Sequence, residues 1–412
     1  MSDPRPRARV VVGFVLFVAA SLAVVLEGGA RVWSFLRERR EQRRAFSRSG
    51  PPLSPAQAEA ASRALGLDVY ESADPVRPGR WRLRAGYRGT FGEVLEAKRA
   101  AGRLLAVRQM EGASRALGIA SGHLAVEVNA EGFRGPALDP QHGKIRILAL
   151  GDSCTFGTPV AEEYTYARAL EGELRSRGGR VEVVNGGVEG YDASDVLARL
   201  DEFRALRPEI TTLYIGWNAL YRERYLAEAS GAARYLHSVR LFERARDALA
   251  ARRDDSRRAA LEAYERPKRP AREAKEVALL DGYGPSFLWQ VERIVAGMRE
   301  AGSRVVILTL PGLYAPDRDP SARALAVGHL PAFTDNPFVL AAMAARYNDA
   351  LRELTLRQGL KLVDLERWAR DTLQPPESHF VDSVHLDEPA QRQAGVWLAG
   401  ALEPLLAERT AP

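Results

Sequence analysis

Ile147–Gly157, ILALGDSCTFG, is the stretch on which the reading of this chain turns. Four apolar residues run into Gly151-Asp152-Ser153, followed by Cys154, the only cysteine, and then by Thr155, Phe156 and Gly157. A short apolar run stopped by glycine fits a buried strand that ends in a tight turn. Ser153 at that strand end could be an exposed nucleophile, but the same tripeptide is also a common turn. Cys154 is a third candidate for the reactive group. The stretch alone leaves all three readings open, and its surroundings separate them.

From residue 144 onward the pattern is regular. Apolar runs at Ile145–Leu150, Val181–Val184, Ile210–Ile215, Val305–Leu310 and Leu360–Val363 predict buried strands. Amphipathic stretches near 162–177, 194–207, 285–302 and 338–357 lie between them, and another follows at 389–407. This alternation predicts an α/β fold with a parallel sheet covered on both faces. Ligands of such sheets sit beyond the carboxyl ends of the strands. Ahead of it, residues 78–143 read as a small, irregular, β-containing lead-in, with WRLRAGYRGTF and HLAVEVNAEGFRG weakly alternating and punctuated by glycine. Residues of about 219–284 are too many for a simple crossover. Their alternating charge predicts an exposed helical insertion, either a lid or partner arm at a strand end or an excursion without a role.

The N-terminus has its own organisation. A basic tail, residues 1–9 with Arg5, Arg7 and Arg9, precedes the charge-free run Val10–Leu26, which small residues extend to Ala30. That length is near the lower limit for spanning a bilayer. LEGGAR is a poor cleavage site, so 10–30 is expected to be an uncleaved transmembrane signal anchor, followed by a stalk and linker at 31–77. Arg31, Arg37, Arg39, Arg40, Arg43 and Arg44 outnumber the arginines before the span. Counted literally, this would keep the rest of the chain in the cytoplasm, but the rule weakens for long translocated domains, and orientation stays open.

Composition narrows the classes. With 412 residues and 46% hydrophobic content, the chain can form one sizeable core with additions, or two domains. The net charge of +6 comes from interleaved basic and acidic residues without a polybasic tail, so no nucleic-acid partner is expected. One cysteine excludes an intramolecular disulfide and a Cys-based zinc site, and no HExxH occurs; no cofactor or metal is expected. GDSCTFG is neither a dinucleotide fingerprint nor a lysine-containing phosphate loop.

Three further segments bear on Ser153. FVDSVHLDEPAQRQAG places Asp382 three residues before His385, ahead of a predicted helix. An imidazole base needs a carboxylate on one ring nitrogen and the nucleophile on the other, and a D-x-x-H loop supplies the first pair locally. His379 and Asp387 are the nearby competitors. VVNGGVEGYDASD follows the second strand and carries Gly186, Gly187 and Gly190, where a backbone N–H can approach an anion. TLYIGWNAL follows the third strand and ends in Gly216-Trp217-Asn218-Ala219-Leu220; the Asn218 amide could donate to an oxyanion or cap a helix.

Taken in order, GDS, a glycine loop and G-x-N at the first three strand ends and D-x-x-H before the last predicted helix resemble the SGNH hydrolases, or GDSL-type esterases. The resemblance covers about residues 144–405, within a domain expected at 144–408. The preceding VNAEGFRGPALDP is similar to the N-x-x-G-F-R segment of membrane-anchored bacterial members. The resemblance implies a three-layer, flavodoxin-like fold with a mainly five-stranded parallel sheet. It assigns the nucleophile to Ser153, the general base to His385 and its orienting acid to Asp382. It places the oxyanion hole on the N–H groups of Ser153 and Gly190 and the side chain of Asn218. Cys154 becomes a packing residue. Ala219 departs from the acid the family usually has there. The implied function is a membrane-anchored serine esterase cleaving acyl esters, acetyl among them, on a carbohydrate of the cell envelope, with its domain outside the cytoplasm. An O-acyltransferase using the same residues, and a non-catalytic assembly module, are the alternatives.

Overall fold

The structure, a computed structural model, describes residues 21, 25–29, 31–32, 69–72, 81–100, 108–109, 111–112, 124–222, 262 and 264–407. The chain divides into two units, residues 1–47 with 224–258, and residues 48–223 with 259–412. Within the first unit the described residues Ser21, Val25–Gly29, Arg31 and Val32 are helical. The expected membrane span at 10–30 lies mostly outside the described residues. No helix among the described residues is long and apolar enough to cross a membrane.

The second unit is built on five parallel strands: β5 (Ile145–Gly151), β6 (Val181–Gly187), β7 (Ile210–Tyr214), β8 (Arg304–Leu308) and β9 (Lys361–Val363). They lie in the order β6-β5-β7-β8-β9. β6 and β7 are buried along their whole length, and β5 at every position after Ile145. Continuous burial is why these strands read as unbroken apolar runs instead of alternating ones. Before the sheet come two antiparallel ribbons, β1 (Tyr70–Ser72) with β2 (Trp81–Leu83), and β3 (Arg88–Thr90) with β4 (Ala125–Glu127). β1 falls in the stretch read as linker; three residues are too few to carry a period. Helix α1 (Phe91–Ala100) follows β3.

The helices after β5 are α2 (Ser153–Phe156), α3 (Tyr166–Ser176), α4 (Ala193–Ala198), α5 (Leu200–Ala205) and α6 (Trp217–Arg222). Farther on lie α7 (Leu288–Glu300), α8 (Ala322–Val327), α9 (Pro337–Gln358), α10 (Leu365–Thr372) and α11 (Glu388–Ala407). The step from β5 to β6 runs one way across the sheet and the step from β6 to β7 runs the other. Right-handed crossovers therefore put α3 on one face and α4 and α5 on the opposite face. α11 returns to pack on α3, where Gly395 lets the two backbones meet: a Cβ there would lie 2.6 Å from that of Ala169. α7 packs on α4 and α5. The direction of the chain thus reverses beside β5, which opens a crevice at that strand's carboxyl end.

The expected insertion at 219–284 begins inside α6, so its first residues belong to the helix carrying Trp217 and Asn218. Residues 223–261 and 263 lie outside the described residues, and with them most of the proposed lid or arm.

Candidate active site

Ser153 begins the one-turn helix α2 directly beyond β5. Asp152 caps it, its Oδ1 accepting the Cys154 N–H at 2.9 Å. The turn closes at Gly157, whose φ of +88° is the left-handed conformation glycine favours and whose N–H donates to the Ser153 carbonyl. Neighbouring strands leave no room for side chains here. A Cβ on Gly187 would collide with the backbone of Phe156, and one on Gly151 with the Tyr214 carbonyl. Backbone therefore packs on backbone under Ser153.

The second component is the loop 379–387. A Phe380–Leu386 bridge, with Val381 N–H to His385 O and Asp387 N–H to His379 O, each at 2.9 Å, folds it into a narrow hairpin. Inside it, Asp382 Oδ1 accepts the N–H groups of Val384 and His385, both at 2.8 Å. Its Oδ2 lies 2.7 Å from His385 Nδ1, and His385 Nε2 lies 2.7 Å from Ser153 Oγ. An ionised carboxylate accepts only, so Nδ1 carries the proton and Nε2 is left to accept the serine O–H. Carboxylate, imidazole and hydroxyl form one continuous chain. Asp382 is buried, while His385 keeps 14% of its side chain exposed and Ser153 is half-buried, so solvent reaches the end of the chain that would react.

The electrostatics suit that chain. Burial would raise the Asp382 pKa, but His385 and His329 hold it well below the usual carboxylate value. Burial pulls His385 down, but Asp382, helped by Asp152 and Glu189, leaves the imidazole above its ordinary value. Asp152 is fully buried, and desolvation raises its pKa to about 6 against the pull of the Cys154 N–H and His385.

The competitors fall away on geometry. Asp387 Oδ1 accepts the Ala390 N–H at 2.9 Å and caps the start of α11. His379 Nδ1 is buried and has no hydrogen-bond partner among the described residues. Cys154 is buried, its Sγ toward the Val384 carbonyl at 3.5 Å. Desolvation, with Asp152 and Asp382 nearby, pushes its thiol well above the ordinary value, away from the reactive thiolate.

Gly190 and Asn218 come from the next two strand ends. Val188 N–H donates to the Gly151 carbonyl at 3.3 Å, tying the glycine loop to the end of β5. Gly190 has φ +78°, and Arg222 binds its carbonyl at 2.9 Å and Asp192 at 2.8 Å. Asn218 Nδ2 donates to the Tyr191 carbonyl at 2.9 Å, which fixes the amide against this loop. Its second N–H and the N–H of Gly190 meet no acceptor among the described residues.

Several residues that hold this arrangement were not legible as such. Arg134, the arginine of N-x-x-G-F-R, is buried, and its guanidinium donates to the carbonyls of Phe156, Gly157 and Val160. It stacks over the Phe156 ring at 4.5 Å. Asn129 of the same motif accepts the Phe133 N–H and donates to the Pro136 carbonyl, which sets the arginine's approach. Glu189 receives the Tyr70 O–H and, at 2.7 Å, the Thr158 O–H, and its carbonyl accepts Trp81 Nε1–H at 3.2 Å. The two-stranded lead-in thus braces the glycine loop, with Trp81 against Gly190. The only sequence signal was the N-x-x-G-F-R pattern. His329, 3.4 Å from Asp382 through its Nε2, gave none. Among the described residues no group of three His, Cys, Asp or Glu could hold a metal ion.

Among the solved structures to which the chain is similar, three illustrate the likeness, each over most of its own length. One is LAE5, an alpha/beta hydrolase enzyme from the metagenome of Lake Arreo, Spain, with 19% identity over 64% of this chain and 95% of that one, TM-score 0.38. Axe2, an acetylxylan esterase from Geobacillus stearothermophilus, shares 16% identity over 64% and 94%, TM-score 0.38. The lipase/acylhydrolase from Enterococcus faecalis shares 15% over 63% and 96%, TM-score 0.37. No curated protein matches the chain. The GDSL-like Lipase/Acylhydrolase family model matches residues 149–393, from the middle of β5 into α11. That match takes in more than half of the sequence and the carboxyl ends of all five parallel strands; the chain belongs to the GDSL-like lipase/acylhydrolase family and is an ester-hydrolysing enzyme.

Proposed function

We propose that Ser153 is the nucleophile of this esterase, His385 its general base and Asp382 the acid that orients and stabilises the imidazole. The observation that carries the proposal is the unbroken chain Ser153 Oγ···Nε2 His385 Nδ1···Oδ2 Asp382, with 2.7 Å at both links. His385 takes the Ser153 proton as Oγ attacks the ester carbonyl, and the oxyanion forms facing the Ser153 N–H, the Gly190 N–H and the Asn218 amide. The imidazolium returns the proton to the leaving alcohol. Water, deprotonated by the same nitrogen, then attacks the acyl-serine and releases the carboxylic acid and free Ser153.

The sequence adds the setting. The charge-free run Val10–Leu26 supports an enzyme anchored in a membrane by residues 10–30, with the described unit outside the cytoplasm and acting on an acylated carbohydrate of the envelope. Detergent-solubilised full-length chain should hydrolyse p-nitrophenyl acetate and be labelled at Ser153 by a fluorophosphonate. Ser153→Ala and His385→Ala should each lower kcat by on the order of 10³-fold or more. Undiminished turnover in both variants would reject the assignment. The anchor is checked separately by whether the chain resists alkaline extraction from membranes. The carbohydrate is checked by release of acetate from an acetylated polysaccharide.

A further inference from the structure

The orienting carboxylate has two histidines. Asp382 Oδ2, which His385 Nδ1 approaches to 2.7 Å, also lies 3.4 Å from Nε2 of His329, an ion-pair distance longer than a hydrogen bond. His329 is 4% exposed, and neither of its ring nitrogens has a hydrogen-bond partner among the described residues. A buried imidazole kept only for packing would carry an avoidable desolvation penalty, because a phenyl ring fills similar space without one.

The placement is tightly determined. His329 follows α8, and its N–H donates to Ser383 Oγ at 2.7 Å while the Ser383 O–H donates back to its carbonyl. The Tyr221 O–H donates to that carbonyl at 3.0 Å. The Tyr221 ring packs on the imidazole at 5.1 Å and Tyr264 at 6.0 Å. The main chain of His329 is thus locked to the residue next to Asp382, and tyrosines from α6 and from the end of the insertion aim its ring. The titratable groups around this pair, among the described residues, include Asp382 itself, Tyr221, Tyr264, Tyr314 near Ser383, the Cys154 thiol, and His385 on the same carboxylate.

We infer that His329 is a positioning residue for the reaction. Its Nε2, 3.4 Å from Oδ2 of Asp382, steadies the carboxylate that Nδ1 of His385 meets and moderates the field that Asp382 exerts on the base. The inference rests on the assignment of Asp382 and His385 proposed above. Its sign follows from electrostatics. With its proton on Nε2, 3.4 Å from Oδ2, the imidazole offsets part of the carboxylate's charge. Without it Asp382 stabilises the His385 imidazolium more strongly, and the base needs a higher pH to become free.

The test compares full-length His329→Phe, which keeps a ring against Tyr221 and Tyr264 but offers no N–H, with His329→Gln, which restores a donor. In His329→Phe, kcat should fall by about tenfold with KM little changed, as expected when a reacting group loses alignment. The acid limb of its kcat/KM profile should move to higher pH, and His329→Gln should recover most of both effects. Should His329→Phe not fold, His329→Asn, whose shorter amide does not reach Oδ2, takes its place. A donor-less variant with the parent's kcat and acid limb would overturn the inference. So would His329→Gln being as impaired as His329→Phe at the same melting temperature, since packing alone would then explain the loss. Ser153→Ala run alongside separates the two levels. If it keeps full activity the nucleophile assignment fails, whereas an inactive Ser153→Ala with an unmoved His329→Phe removes only the role of His329.

Discussion

Asp152 and Ser153 are neighbours with opposite requirements. Ser153 must face solvent and substrate, while Asp152 is fully buried, with Oδ1 on the Cys154 N–H and Oδ2 without a partner among the described residues. Its pKa of about 6 against 3.8 means that the folded state resists its ionisation. Two units correspond to on the order of 3 kcal/mol, withdrawn as pH rises from about 4 to 6. Asp152→Asn keeps the cap acceptor and removes the charge. It is expected to melt higher than the parent at pH 7.5 and to lose that advantage near pH 4, read by thermal denaturation across pH. Because Asp152 also supports the His385 imidazolium, the same substitution should move the acid limb of kcat/KM to lower pH. At Asn218, truncation to alanine should lower kcat about 10²–10³-fold with little change in KM, the signature of a donor used only in the transition state. Steady-state kinetics on p-nitrophenyl acetate decide it.

The elements divide sharply in how legible they were. All five parallel strands announced themselves as apolar runs, β5, β6 and β7 because burial along nearly their whole length favours apolar side chains, while β9 is exposed at Lys361; the longer helices between them showed their periodicity, but the short α6 and α8 did not. The GDS, glycine-loop and G-x-N segments were readable because each pairs a chemically special residue with a strand end, and D-x-x-H because it sets an acid and an imidazole three residues apart just before a helix. What holds α2 was not readable. Arg134 is a buried cation whose partners are three carbonyls more than twenty residues away, and a carbonyl leaves no mark in a sequence. Glu189 is equally obscure, since its partners Tyr70 and Thr158 come from different parts of the chain. Arg134→Met should therefore act on both stability and turnover. Stranding several buried carbonyls should cost about 3–5 kcal/mol, measured by the shift of the denaturant midpoint, and fluorophosphonate labelling of Ser153 should slow in the protein that remains folded. Gly187→Ala places a methyl against the backbone of Phe156 and should be at least as damaging, although it removes no interaction.

The whole molecule balances stability against activity along the pH axis. Asp382, with a lowered pKa, contributes stability that is present above its unfolded value and lost as pH falls through its folded one. His385, with a raised pKa, contributes stability that is full below its unfolded value and lost as pH rises through its folded one. Asp152 adds its penalty between about pH 4 and 6. These groups favour the mildly acidic range for stability, whereas a general base must be unprotonated and favours pH above an ordinary histidine's value. Melting temperature should accordingly fall between pH 5 and pH 8 while kcat/KM rises, two curves measurable on one preparation.

The distance along the chain between the two reacting side chains has a consequence for biosynthesis. Ser153 and His385 are 232 residues apart, and the histidine comes just before the last helix among the described residues. During translation β5 to β9 can all be made while the serine still has no base. A chain halted short of residue 385 carries the serine proposed as nucleophile but not the histidine proposed to activate it. With the roles proposed above, hydrolysis is expected only from chains that extend past residue 385.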